Sequence, residues 1–340
     1  MTPDIALDVR ETSHMSAGMR AYVGALRRLL PVVAPDLRVA EFGSGDNFDV
    51  AEQLAMPLRL ARLRPRLVHV PTPFVPRILP VPHVVTVHDV IDLEFAQYAK
   101  RKVGPYWRRV VGPVLRSARA VITDDDATVP LLERYLGVAP SRVAVIPLGV
   151  DAPEPLPEPM VRARPYFFYA GNHRPHKDLA TLVTAWASLP DRDAIDLVLT
   201  GAEEPALRLA RHARGELVFA GDCSLEEVWR WHCGAVAYVH PALREGFGLP
   251  LLEAVRAGTP VIAADTATPS VLAPYVHRYA AHDAVALRAL LLRAAEQPDA
   301  FRAGVEPARA ATAYLTWERT VRDTAGLYRR LLAEPRARRA

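Results

Sequence analysis

Twelve short apolar runs, each of strand length, are spaced along this 340-residue chain with helical or loop stretches between them. Six precede a proline-rich segment: Ile5 to Val9, Leu37 to Phe42, Leu67 to Val70, His83 to Val87, Ala120 to Thr123 and Val143 to Ile146. Six follow it: Tyr166 to Ala170, Leu197 to Thr200, Leu217 to Ala220, Val236 to Val239, Val261 to Ala264 and Arg278 to Ala281. Continuous apolar strands alternating with helices describe parallel sheets covered on both faces, because only a crossover helix returns the chain to begin a parallel neighbour. The break is Asp151-Ala-Pro-Glu-Pro-Leu-Pro-Glu-Pro-Met160, whose four prolines can continue neither a helix nor a central strand. The expectation is an α/β protein of two doubly wound, Rossmann-like domains, residues 1–150 and 161–312, joined by a stiff linker at 151–160. Ligands of such sheets bind outside the C-terminal strand ends, so two domains facing each other enclose one cleft.

The length suits two cores, and 50% hydrophobic with 24% charged residues is ordinary for a globular chain. No apolar run approaches the roughly 20 residues that cross a bilayer. The N-terminus lacks a basic n-region and a long apolar core, so no secretory signal is recognised and a cytoplasmic location is expected. Cys223 and Cys233 form no metal-ligand pattern and read as reduced structural thiols. The net charge of +4 arises entirely in residues 1–150. It is densest from Gln97 to Arg119, where Lys100, Arg101, Lys102, Arg108, Arg109, Arg116 and Arg119 meet no acid and Tyr98, Tyr106 and Trp107 are interleaved. Such a surface fits peripheral contact with an anionic membrane or acceptor, or is a plain solvated helix face. Nucleic acid is not expected, since no binding motif accompanies the charge.

The stretch His240-Pro-Ala-Leu-Arg-Glu245-Gly-Phe-Gly-Leu-Pro250-Leu-Leu-Glu253 carries the most chemistry. A buried strand leads into a glycine loop, and Pro250 opens a helix closed by Gly258. Gly246 and Gly248 let backbone approach a ligand, and the exposed amides of a helix start favour a phosphate. Glu245 and Glu253 are then placed to accept hydrogen bonds from sugar and ribose hydroxyls. Tyr169-Ala-Gly-Asn-His-Arg-Pro-His-Lys-Asp178 puts Lys177 in a loop after a strand, with Asp178 able to cap the next helix. Ser224-Leu-Glu-Glu227 reads as a capping box. Gly43-Ser-Gly-Asp-Asn-Phe48 lacks the third glycine of a dinucleotide loop, so an NAD site is not expected. Asp124-Asp125-Asp126 follows a strand and serves either to cap a helix from Ala127 or to meet an acceptor.

Together these segments resemble the retaining glycosyltransferases of family 4, which have the GT-B fold and carry a Glu, seven residues, then a Glu. Gly18 in Ser-Ala-Gly-Met-Arg-Ala-Tyr resembles the family's N-terminal glycine loop, and Val87-His88-Asp89, Val145 to Asp151 and Thr316-Trp-Glu-Arg-Thr320 match further segments in order. The resemblance implies a donor that is a nucleoside diphosphate sugar, an acceptor that is a glycan or a lipid-linked molecule, no other cofactor and no metal. It implies that Lys177 meets the leaving diphosphate, Glu245 the donor sugar, Glu253 the ribose, and the amides of Phe247, Gly248 and Leu249 sugar and phosphate. It places His88 beside the donor sugar and Gly18 near the phosphate, and it implies that the terminal helix, 313–334, crosses back to the first domain. Many members carry Arg five residues before the lysine; here that position is Asn172, so Arg174 or backbone amides supply the second positive group. The rival readings are a sugar-nucleotide epimerase of the same architecture and a non-catalytic donor-binding protein.

Overall fold

The computed structural model describes residues 2–12, 15–43, 50–190, 195–209 and 215–334. The chain divides into two compact units. Unit 1 comprises Met1–Gly149 with Leu315–Ala340, and unit 2 is Val150–Tyr314.

Unit 1 holds strands β1 (Ile5–Asp8), β2 (Val39–Phe42), β3 (Leu67–Val70), β4 (His83–Thr86), β5 (Ala120–Thr123) and β6 (Val143–Val145). They form one parallel sheet in the order β2-β1-β3-β4-β5-β6. Unit 2 holds β7 (Tyr166–Tyr169), β8 (Asp196–Leu199), β9 (Leu217–Phe219), β10 (Ala237–His240), β11 (Val261–Ala264) and β12 (His277–Tyr279), parallel in the order β12-β11-β10-β7-β8-β9. Each sheet reverses its strand order once, between β1 and β3 and between β7 and β10. At such a switch point the connections leave on opposite faces and open a crevice at the C-terminal strand ends.

The central strands are apolar at nearly every position because helices cover both faces. In unit 2, Phe167, Tyr169, Leu197, Leu199, Ala237 and Val239 pack with Leu182, Trp186, Leu287 and Leu291 from flanking helices. In unit 1, Val68, Val70, Val85 and Val121 pack with Trp107, Val111, Leu115 and Leu132. Removing such surface from water contributes about 25 cal/mol per Å² and is the main stabilising term.

Gly234 ends the helix Leu225–Gly234, where a Cβ would stand 2.3 Å from the Tyr166 hydroxyl. That helix begins with the capping box Ser224–Glu227. The proline-rich segment lies in unit 2 and is tied to the same helix, Met160 N–H donating to the Arg230 carbonyl at 2.8 Å. The terminal helix Trp317–Ala333, capped by Thr316, packs against the helix Ala17–Val33 within unit 1.

The basic segment is helical through Val103–Tyr106, a π turn Trp107–Val111 and Gly112–Ser117. It is not an aromatic-bearing face. Trp107 is buried and the Tyr106 hydroxyl donates to the Val75 carbonyl at 3.0 Å, leaving Tyr98 as the exposed aromatic of the stretch. Arg116 binds the Leu136 carbonyl at 2.7 Å and Arg119 pairs with Glu334 at 2.6 Å, so both serve unit 1. Lys100, Arg101, Lys102, Arg108 and Arg109 are exposed. Among the described residues no helix is long and apolar enough to cross a membrane. Residues 44–49, within the Gly43–Phe48 stretch, and the arginine-rich sequence 335–340 lie outside the described residues.

Candidate active site

The loops that follow β7 and β10 leave the two strands that flank the switch point of unit 2. After β7 the chain passes Asn172 and Arg174, makes a single 3-10 turn at Pro175–Lys177 and enters the helix Leu179–Ala187. After β10 it passes Glu245 and enters the helix Leu249–Arg256, with Pro250 in its first turn. Leu243 N–H donates to the His176 carbonyl at 2.8 Å, so one backbone hydrogen bond fastens the two loops together.

That fastening brings opposite charges into contact. Lys177 Nζ lies 2.5 Å from Glu245 Oε2, with the lysine 8% exposed. His240 Nε2 is 3.0 Å from the same oxygen, and its Nδ1 is 2.9 Å from the Tyr238 hydroxyl. Burial alone would raise the Glu245 pKa, but Lys177 and His240 outweigh it and hold the carboxyl well below its usual range. Burial lowers His240, with Lys177 adding to the effect. Burial, then Lys177, brings His176 down to about 4. Glu253, one turn into its helix, has no such partner, and burial raises it to about 7.

Gly248 is the N-cap of the helix and has φ +82, a conformation that side chains resist. A Cβ there would also stand 3.0 Å from Pro269 Cγ. Gly246 and Leu249 are partly exposed, while Phe247 and Gly248 are buried. Asn172 builds its own loop: its carbonyl accepts from the Tyr169 hydroxyl at 2.7 Å and its side-chain oxygen from Arg174 N–H at 3.1 Å. Asp178 occupies the N-cap position, yet its side chain does not cap the helix. It accepts from Thr181 Oγ1 at 2.8 Å and pairs with His282 at 3.0 Å.

In unit 1, Gly18 is the second residue of the helix Ala17–Val33 rather than part of a loop, and Ser16 caps that helix. His88 follows β4 and is buried, with Nδ1 2.6 Å from Asp124 Oδ2 at the end of β5. Burial works against its protonation, but Asp124 prevails and the His88 pKa is raised. The aspartate run therefore divides its labour: Asp125 caps the following turn at Ala127 N–H, 2.7 Å away, while Asp124 faces His88. The sequence reading missed Asp124, His240 and Tyr238 as partners of site residues. Cys223 and Cys233 are free thiols.

The two parallel sheets with their switch points define the GT-B architecture. Sucrose-phosphate synthase from Thermosynechococcus elongatus has the same fold, with a TM-score of 0.76 at 20% identity over 97% of this chain and 99% of that one. HepE from Anabaena, solved with UDP-glucose, gives 0.70 at 17% identity over 95% and 98%. Residues 158–298 match the model of glycosyl transferases group 1, and residues 26–154 match that of glycosyltransferase family 4. The O-antigen chain mannosyltransferase B of Escherichia coli is 26% identical over 270 residues, which are 73% of this chain and 70% of that protein. The MMP alpha-(1->4)-mannosyltransferase of Mycolicibacterium hassiacum is 27% identical over 272 residues, 76% and 66% of the two. The chain belongs to the family 4 type of GT-B glycosyltransferases.

Proposed function

We propose that the protein moves a sugar from a nucleoside diphosphate sugar to an acceptor hydroxyl, with retention of configuration and without a metal ion or further cofactor. The observation that carries this reading is the contact between Lys177 and Glu245 beside the Gly248 turn. A cation, a carboxylate and the amides of a helix start stand together where a diphosphate and its sugar need them. In the reaction the bond from the anomeric carbon to the diphosphate oxygen breaks, and the acceptor oxygen bonds to that carbon on the same face. The acceptor proton passes to the departing phosphate oxygen. Lys177 and Arg174, with the amides of Phe247, Gly248 and Leu249, stabilise the charge that gathers on the leaving group. Glu245 orients the donor sugar, Glu253 binds the ribose, and the Asn172 loop sets the approach of Arg174. His88, through its backbone carbonyl, and Gly18 are assigned to sugar and phosphate by their resemblance to family positions.

The relatives named as mannosyltransferases of O-antigen chains support a surface glycan or its lipid-linked precursor as acceptor. Lys100, Arg101, Lys102, Arg108 and Arg109 then hold the enzyme at the anionic inner face of a membrane. Sedimentation with vesicles containing phosphatidylglycerol, compared with phosphatidylcholine alone, tests that contact.

The central test is a panel of UDP-, GDP- and ADP-sugars, each assayed for nucleoside diphosphate release with lipid-linked glycan acceptors. Lys177→Ala should lower turnover at least tenfold, about 1.4 kcal/mol of transition-state stabilisation. Wild-type turnover in that variant, a requirement for magnesium, or an inverted product would each refute part of the reading. Epimerised nucleotide sugar formed without acceptor would replace it.

A further inference from the structure

Behind Lys177 and Glu245 a chain of hydrogen bonds runs back into the sheet of unit 2. Tyr238 and His240 are two residues apart on β10, so their side chains share one face. Both are fully buried. The Tyr238 hydroxyl meets His240 Nδ1 at 2.9 Å, and His240 Nε2 meets Glu245 Oε2 at 3.0 Å. The Tyr169 ring stacks on the imidazole with centroids 6.4 Å apart, which fixes its plane.

The geometry selects one tautomer. A carboxylate oxygen cannot donate, so His240 Nε2 must carry the proton that it shares with Glu245. Nδ1 of the neutral ring is then an acceptor, and the Tyr238 hydroxyl, which is also 3.3 Å from the Ala170 carbonyl, donates to it across the shorter distance of 2.9 Å. Glu245 Oε2 thus receives two donors of different kinds, a flexible ammonium and a fixed imidazole N–H. An arriving diphosphate competes for the ammonium. It also brings negative charge close to Glu245, which without a second donor would be a half-buried carboxylate with no partner for its charge.

We propose that His240 is a positioning residue for Glu245, holding the carboxylate in place through Nε2–H while Lys177 turns from Glu245 to the diphosphate of the donor. This rests on the transferase reading of the site. Tyr238 is the residue that locks the imidazole in the donating tautomer.

Two measurements test the proposal. In ligand-free protein labelled with ¹⁵N-histidine, the His240 signals, assigned by their loss in His240→Gln, should report an Nε2-protonated neutral ring. A ring protonated at Nδ1 overturns the proposal without reference to activity. In donor turnover, His240→Phe should lower kcat at least tenfold with a smaller change in donor KM, while His240→Gln, which keeps an N–H at the same reach, should stay within about threefold of wild type. Equal losses in both variants make His240 a packing residue and overturn the proposal. Should His240→Phe fail to fold, Tyr238→Phe replaces it, and its expected signature is a shift of the unprotonated Nδ1 resonance of His240 to that of a ring nitrogen without a hydrogen bond, with reduced kcat; an unchanged Nδ1 resonance and kcat count against the proposal. A Glu245→Gln enzyme with full turnover overturns the reading of the site itself. Full turnover in His240→Phe beside an inactive Glu245→Gln overturns the role of His240 alone.

Discussion

Asp124 Oδ2 lies 2.6 Å from His88 Nδ1, a contact that joins the C-terminal ends of β5 and β4 inside unit 1. Both groups have raised pKa values. For His88 burial is opposed and exceeded by Asp124, and for Asp124 burial dominates. A histidine whose folded pKa exceeds its unfolded value of 6.5 contributes stability that is complete below 6.5 and is lost as pH rises through the folded value. The raised aspartate acts in the same direction. The difference in melting temperature between wild type and Asp124→Asn should therefore be largest near pH 6 and shrink toward pH 9. A difference that is constant across that range would show that the pair is not charged.

His232 gives the opposite sign. It is buried among Phe168, Trp229 and Tyr238, neither ring nitrogen has a hydrogen-bond partner among the described residues, and burial lowers its pKa to about 3. The unfolded chain then takes up a proton that the folded one refuses, and stability falls below pH 6.5 by about 1.4 kcal/mol per pH unit. His232→Phe removes this cost and two unsatisfied nitrogens. Its melting temperature relative to wild type should rise steadily between pH 7 and pH 5, whereas parallel curves would mean that His232 is protonated in the fold.

Gly248→Ala meets both a left-handed backbone and the Pro269 ring. The conformational cost alone is roughly 1–2 kcal/mol. Because the strain falls on the turn that presents the proposed phosphate amides, nucleotide affinity should fall along with stability. A calorimetric titration with the preferred nucleoside diphosphate that matched wild type would separate the turn from the site.

Glu253 carries a pKa near 7 because burial disfavours its ionised form. Ribose hydroxyls donate to an ionised carboxylate, so nucleotide binding should tighten as pH rises from 6 to 8. The Glu253→Gln variant should lack that part of the dependence. Identical pH profiles for the two proteins would remove Glu253 from the ribose contact.

The central strands were legible because a central parallel strand must be apolar on both faces, and that demand leaves an unbroken run such as Tyr166 to Tyr169 or Val261 to Ala264. Strand order is not written that way. It depends on which crossovers pass over which face, and so is absent from any local pattern. Lys177 and Glu245 were legible as members of separate loops; their contact depends on the hydrogen bond between Leu243 and His176, which joins positions far apart in sequence. His240 was hidden because it ends a buried strand, where a histidine looks like filler. Asp124 was hidden because three adjacent aspartates read as one group that caps a helix or meets an acceptor, and only the alternation of side chains past β5 turns one inward and leaves the next at the helix start.

Gly149 passes so close to Thr316 that a Cβ on it would stand 2.0 Å from the Thr316 carbonyl carbon, and here the outgoing and returning chains of unit 1 touch. Everything from Val150 to Tyr314 is thus looped out of a domain whose helix Trp317–Ala333 is synthesised only after the whole insertion. On the ribosome the inserted half has all its strands available as one continuous stretch, while its host must wait, unfinished along the surface of Ala17–Val33, until Trp317–Ala333 has emerged. The later-encoded sheet is in a position to mature first.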